Sequence, residues 1–410
     1  KGEGEGKERE EFIFYNTSIR PTELRNVKSS LSRQESIVSY YCSNTSVYAF
    51  VINQNHSELI KLPISPREIS EVILTFRKFI FSYWINSNSS DSDYRLHASG
   101  FTTNAIFLYD VLIKPIEKYL NEELIIIPDE TLNYLPFECL LTKKPANYLH
   151  FKSHDYLHNK YTISYAFSAT LWREMSILEH DSKRKEIVAF SPNFNTSQIK
   201  KSTATRGELT PLKWNIEEAK KVTKIISGDT FIGKEASISN FKKEASNSKI
   251  IHCSTHAKSG MGYNESYLAF DQGDKLDEAK IREMNLDADM IVLLACETGL
   301  GRIESGEGVR SLSRTFASTG VKSLLSSLWS VDDRKSYELM QNFYYELSLG
   351  YKKNVALRNA KLNLISKGSH KDAHPFFWSG FLTLFQIASK EFALLANNWQ
   401  IKKGATQINA

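Results

Sequence analysis

The segment Met290-Ile291-Val292-Leu293-Leu294-Ala295 is six apolar residues in a row, followed at once by Cys296 and then Glu297-Thr298-Gly299. A strand with one wet face alternates apolar and polar side chains. A strand this uniformly apolar is covered on both faces, a condition met by parallel sheets with helices packed above and below. Lys249-Ile250-Ile251-His252-Cys253 has the same character, as does Leu124-Ile125-Ile126-Ile127, closed by Pro128-Asp129. Helix-period segments separate such runs, so the chain reads as a parallel α/β sheet written twice.

In the first half, Ser36 to Ile64 reads as a meander of strands, clearest at Tyr48-Ala49-Phe50-Val51-Ile52 and at Glu58 to Leu62. Pro66 opens a helix to about Tyr83, as proline in a first turn favours. Asn86 to Ser99, rich in Ser, Asn and Asp, reads as a mobile loop, and a helix from about Asn104 to Tyr119 follows it. In the second half, Glu186 to Phe190 is a strand, Ser191 to Thr210 a long polar loop and Asn215 to Ile226 a helix. Further helices are expected at Gly308 to Ser318, Asp332 to Leu349 and Asn354 to Ser366, with strands at Ser323 to Trp329 and Phe381 to Gln386. The polar loops Ser191 to Thr210 and Met261 to Glu265 offer few apolar anchors and are expected to be mobile.

At 410 residues the chain exceeds the size at which one core stops growing, so two packed units are expected. The formal charge of +5 comes from 52 Lys and Arg against 47 Asp and Glu without a long basic run, too weak a field to imply nucleic acid or a membrane as partner. Four cysteines with no CxxC pair argue against a disulfide framework and for a reduced, cytoplasmic setting. No signal peptide opens the chain, and no stretch approaches the roughly 18 apolar residues of a membrane span. The polar start at Lys1 reads as a linker, residues 1 to 24, from a missing upstream module of a longer polypeptide.

Ligands of open α/β sheets sit beyond the carboxyl ends of the strands, where loops vary without disturbing the core. His256, in Ser254-Thr255-His256-Ala257, and Cys296 both fall at such ends. If the two strands are neighbours, the residues face one crevice, and a thiol with a base in reach supplies a thiolate nucleophile. The plainer alternative is a buried structural cysteine and a structural histidine. Thr298-Gly299-Leu300-Gly301 after Cys296 favours backbone exposed to a ligand.

Other motifs fail on their details. Gly228 to Glu235 nearly spells a phosphate-binding loop, but Glu235 replaces the required Ser or Thr and a helix precedes it. Gly299-Leu300-Gly301 starts a dinucleotide fingerprint that Glu304 breaks. His252, Cys253, His256 and Cys296 cannot close on one metal, because neighbours along a strand point to opposite faces. Neither a metal nor an organic cofactor is expected, and a nucleotide-binding regulator is disfavoured.

Ile250-Ile251-His252-Cys253-Ser254-Thr255-His256-Ala257 and Leu294-Ala295-Cys296-Glu297-Thr298-Gly299 resemble the two catalytic motifs of the CHAT domain, a caspase- and separase-like peptidase family. Ile125-Ile126-Ile127-Pro128-Asp129, Leu135-Pro136-Phe137-Glu138 and Tyr161 to Ala169 resemble its first half. Gly306-Glu307-Gly308, Ser327-Leu328-Trp329-Ser330-Val331-Asp332-Asp333, Phe343-Tyr344 and His374-Pro375-Phe376-Phe377-Trp378 resemble its C-terminal signatures. The resemblance runs from about residue 25 to 388.

It implies two caspase-like α/β/α units with mainly parallel sheets: a non-catalytic one over residues 25 to 178 and a catalytic one over 179 to 388, with 389 to 410 a tail. It implies a cysteine endopeptidase with His256 as base and Cys296 as nucleophile. The backbone N–H groups of Cys296 and Ala257 would form the oxyanion hole. Many relatives carry Gly in place of Ala257, so a positive φ there would be penalised. Trp329 and Asp332 could line the substrate cleft; alternatively Trp329 is core and Asp332 caps the next helix. His374 reads as structural. Relatives are often fused to helical (TPR) repeats and gated by an activator, and those of bacterial defence cut protein targets that include gasdermin-like pore formers. The rival reading is a catalytically idle scaffold that binds a partner protein.

Overall fold

The apolar runs become the strands of one sheet. In the computed structural model of the protein, the described residues are 21–85, 90–176, 184–194, 212–258, 266–286, 288–294, 302–304, 308–310, 312–330 and 332–385. The first half holds β1 (Glu35–Cys42), β2 (Val47–Ile52), β3 (Ser57–Lys61), β4 (Glu123–Ile127) and β5 (Thr162–Ala166). The second holds β6 (Lys185–Ser191), β7 (Asp229–Ile232), β8 (Ser248–Cys253), β9 (Ala257–Lys258), β10 (Tyr267–Ala269), β11 (Lys275–Asp277) and β12 (Met290–Leu293). After these come β13 (Arg302–Glu304), β14 (Gly308–Arg310), β15 (Ser323–Ser327) and β16 (Phe381–Phe385).

Eleven strands make the main sheet, in the order β3-β2-β1-β4-β5-β16-β15-β12-β8-β6-β7. Only β1–β2, β2–β3 and β15–β16 pair antiparallel, so the sheet is mostly parallel, as uniformly apolar strands require. The last strand, β16, joins the two halves by pairing with β5 at Leu384 against Tyr165. β9, β10 and β11 form a small separate sheet, and β13 with β14 a hairpin.

Side-chain alternation sends β12 into two cores. Met290 and Val292 join Phe76, Phe101, Leu325 and Tyr344 on one face. Ile291 and Leu293 join Phe190, Phe241, Cys253 and Phe316 on the other. Burying each such aliphatic or aromatic side chain is worth roughly 1.5–3 kcal/mol, and this is why both faces must be covered. The helices Pro66–Ile85, Asp91–Leu112, Asp333–Ser348 and Lys353–Lys367 supply the first cover; Ile238–Ala245 and Leu312–Ala317 supply the second. Among the described residues no helix is long and apolar enough to cross a membrane.

Two elements differ from the sequence expectation. Asp91 to Ser99 is helix, not loop, and the helix expected to start near Asn104 runs Asp91–Leu112. Its start is a capping box: Ser90 Oγ accepts from Asp93 N at 3.2 Å, and Asp93 Oδ2 accepts from Ser90 N at 2.9 Å. The polar residues that resemble a loop are therefore its capped first turn. The expected helix from Gly308 instead opens with β14, and the helix is Leu312–Ala317. Most of the polar segment Ser191 to Thr210, and Met261 to Glu265, lie outside the described residues.

The near phosphate loop is ordinary structure. Gly228 joins the helix Asn215–Ile226 to the edge strand β7, and a Cβ there would collide with the Ile187 carbonyl oxygen. Glycine is needed for a close chain crossing, and the spacing to Gly233 is incidental.

Candidate active site

Strands β8 and β12 are parallel neighbours with Cys253 opposite Leu293. His256 is three residues beyond Cys253, and Cys296 is three residues beyond Leu293. The two candidate residues thus stand at equivalent sequence steps past paired positions of adjacent strands. Cys296 itself lies outside the described residues; Leu294, two residues before it, borders the same cleft as His256.

The end of β8 is pinned on several sides. Ser254 N donates to Phe190 O at 3.0 Å, and Leu294 N donates to Cys253 O at 3.2 Å. Thr255 Oγ1 donates to Ala269 O at 2.6 Å, and Ala269 N donates to His256 O at 2.8 Å. Ala257 then pairs with Leu268, so the chain turns from the main sheet into the small one at His256. The half-buried His256 ring meets the buried Phe194 ring edge to face, centroids 4.7 Å apart. Positive φ outside glycine occurs, among the described residues, at Glu130, Ser227 and Gln272. Ala257 is therefore unstrained, without the positive φ that would penalise a residue other than glycine.

Ser254, Thr255, His256 and Leu294 form one side of the cleft; Ser327, Trp329, Ser330 and Phe381 form another, and Glu218 and Asp333 supply carboxylates. The cleft lies beyond the carboxyl ends of β8, β12 and β15, where an α/β sheet places ligands. Trp329 is both core and wall: it is 3% exposed, and its Nε1 donates to Phe376 O at 2.9 Å. Phe81 packs edge-on against it at 5.1 Å, and the Arg77 guanidinium lies 5.6 Å from its ring. Asp332 is exposed and caps the helix Asp333–Ser348, its Oδ1 accepting from Lys335 N at 2.9 Å. Asp333 Oδ2 accepts from Lys213 N at 2.7 Å and Trp214 N at 2.8 Å.

His252 and Cys253 point to opposite faces, as strand alternation requires. His252 Nδ1 lies 3.0 Å from Tyr344 Oη and its Nε2 lies 3.1 Å from Glu218 Oε1. Cys253 packs into the second core, and burial pushes its thiol far up. Burial does the same to Cys139, and burial with Asp129 and Glu130 nearby takes Cys42 up to about 12. None of these three is a ready thiolate. Among the described residues no cluster of three or more His, Cys, Asp or Glu side chains could hold a metal. His374 is buried, its Nδ1 accepting from Phe376 N at 3.2 Å, a structural placement.

Sequence reasoning misses Glu218 and Phe194. Glu218 has one legible signal: it shares the buried stripe of its helix with Asn215, Ala219, Val222 and Thr223. A carboxylate on a buried stripe needs a partner.

The family model of the CHAT domain matches residues 104–386. The chain belongs to the CHAT domain family. Human tetratricopeptide repeat protein 28 is 22% identical to this CHAT chain over 330 residues, which cover 68% of the chain and 13% of that protein. Two crystal structures of the Saccharomyces cerevisiae separase-securin complex superpose with TM-scores of 0.55 and 0.52 at 9% and 10% identity. They cover 93% and 88% of this chain, which spans 31% and 30% of theirs. The CHAT chain thus has the mixed α/β, mostly parallel fold of a caspase-like cysteine protease while spanning a minor part of each relative's length.

Proposed function

We propose that this CHAT protein is a caspase-like cysteine endopeptidase with Cys296 as nucleophile and His256 as general base. The observation that supports the reading is the parallel register of β8 and β12, with Cys253 opposite Leu293: His256, which borders the cleft, follows Cys253 at the same three-residue sequence step at which Cys296 follows Leu293. His256 takes the Cys296 proton, and the thiolate attacks the peptide carbonyl. The oxyanion is met by the backbone N–H groups of Cys296 and Ala257. As the C–N bond breaks, His256 protonates the leaving amine. Water, deprotonated by His256, then hydrolyses the thioester and restores the thiol.

Trp329 borders the cleft, as does Asp333 next to Asp332, and Trp329 and Asp332 are proposed to contact the substrate chain. Residues 25 to 178 act as the non-catalytic unit and 179 to 388 as the catalytic one. Separase, whose fold this chain shares, was crystallised with securin, which supports a regulatory protein partner here. A reduced cytoplasmic setting suits the thiol. The resemblance adds a gasdermin-like or other protein target and a role in bacterial defence.

Incubating the protein with a peptide library and sequencing the new N-termini tests the activity. Cleavage by the wild type that disappears in Cys296→Ala is expected. If folded wild type cuts nothing with or without candidate activators, the chain is a partner-binding scaffold instead.

A further inference from the structure

Glu218 is 3% exposed and sits on the buried stripe of the helix Asn215–Ile226. A carboxylate there has lost its water and is tolerable only where donors replace it. They do. Glu218 Oε1 accepts from Ser254 Oγ at 2.6 Å and faces His252 Nε2 at 3.1 Å. The other nitrogen of His252 faces Tyr344 Oη at 3.0 Å. An ionised carboxylate only accepts, so it calls for the hydrogen on His252 Nε2, leaving Nδ1 to accept from Tyr344. The resulting chain runs from Tyr344 on the helix Asp333–Ser348, through His252 on β8, to Glu218 and then Ser254.

Ser254 is two residues before His256, and its backbone is also tied to Phe190 O at 3.0 Å. The network therefore ends on the turn that presents His256 to the cleft, which Glu218 also borders. We infer that Glu218 is a positioning residue: buried beneath the end of β8, it anchors Ser254 and so sets the backbone that presents His256 to the cleft. The inference rests on His256 being the base of the proposed peptidase. Such backing matters because a displacement of about 1 Å between reacting groups can cost on the order of 100-fold in rate.

One carboxylate oxygen serves both Ser254 and His252, so glutamine, with its carbonyl oxygen in that place, keeps both bonds, whereas alanine keeps neither. The test compares wild type with Glu218→Ala, Glu218→Gln and Ser254→Ala in the full chain. It reads kcat and KM on a cleaved peptide and the NMR signal of the His256 ring Cε1–H in histidine-labelled protein. Glu218→Ala is expected to lower kcat about ten- to hundredfold with KM changed less than about twofold. Glu218→Gln recovers most of the loss, and Ser254→Ala falls between. The His256 signal broadens or splits in Glu218→Ala and is single in Glu218→Gln.

A folded Glu218→Ala with wild-type kcat and an unaltered His256 signal overturns the inference. So does a Glu218→Gln variant as impaired as Glu218→Ala through a raised KM, which would assign the charge to substrate binding. If Glu218→Ala does not fold, Ser254→Ala and Glu218→Gln decide. If the wild type cuts no peptide, the peptidase reading falls and the His256 ring signal alone decides the positioning role.

Discussion

Gly380 lies flat against the Trp329 indole: a Cβ built on it would stand 2.7 Å from Cε2 and 3.0 Å from Cδ2 and Cζ2. The perpendicular Phe81 ring, 5.1 Å away, and the hydrogen bond to Phe376 O hold the indole on its other sides and leave the cleft as the side to which it can yield. Gly380→Ala should therefore push Trp329 toward the cleft and cost about 1–3 kcal/mol of stability by overpacking. Urea unfolding and peptide KM measure the two effects. Unchanged stability together with unchanged KM would mean that Trp329 is free to move.

Thiol chemistry should single out Cys296. Burial holds the Cys139 and Cys253 thiols protonated far above neutral pH, and Cys42 sits at about 12. Near neutral pH a mildly electrophilic peptide should label wild type and Cys253→Ala alike and leave Cys296→Ala unlabelled, as mass mapping of the adduct would reveal. An adduct on Cys253 would refute the assignment of the nucleophile.

The strands that frame the site are legible because continuous apolar runs report cover on both faces. β4 and β12 are buried at every position and β8 over its last three residues, and the sequence positions of His256 after β8 and Cys296 after β12 follow directly. β5 is less legible because Thr162 and Ser164 interrupt it. Ser164 is nonetheless buried, its Oγ donating to Leu124 O at 3.3 Å, a satisfied polar group that hydropathy alone misreads. The helix start at Ser90 is hidden in the same way, since capping uses the residues that loops use. Glu218 is the hardest to read. Its role depends on three segments far apart in the chain, and no local pattern reports that Ser254 and His252 meet it or that Tyr344 backs His252.

Acid should weaken the fold before carboxylates titrate. Burial lowers His374 to about 3 and His154 to about 4, and pushes His158 well below the ordinary 6.5, with Lys361 and Arg358 adding to the effect. Above 6.5 these rings are neutral in both states and the stability is fully present. As pH falls through 6.5 the unfolded chain takes up protons that the folded one refuses, so stability is lost steadily toward pH 4. Each histidine contributes a slope of ~1.4 kcal/mol per pH unit in that window. Urea unfolding at a series of pH values should show this decline, and His374→Gln should flatten it. A profile level from neutrality to pH 5 would contradict the neutral, buried state of these rings.

Lys361 and Glu138 form a buried ion pair, 3.0 Å apart with side chains 2% and 4% exposed, between the helix Lys353–Lys367 and the turn after β4. Tyr165 on β5 donates to the other Glu138 oxygen at 2.5 Å. The pair ties a C-terminal helix to the first half of the sheet in a region where neither charge can reach water. Lys361→Met leaves Glu138 buried without its cation and should cost about 3–5 kcal/mol, whereas a lone exposed pair would cost under about 1. Adding Glu138→Gln removes the stranded charge while keeping an acceptor for Tyr165, so the double variant should regain much of the loss. Denaturant unfolding of the four proteins in this cycle gives the coupling directly. Additive losses with no recovery in the double variant would mean that Glu138 does not depend on Lys361 for compensation.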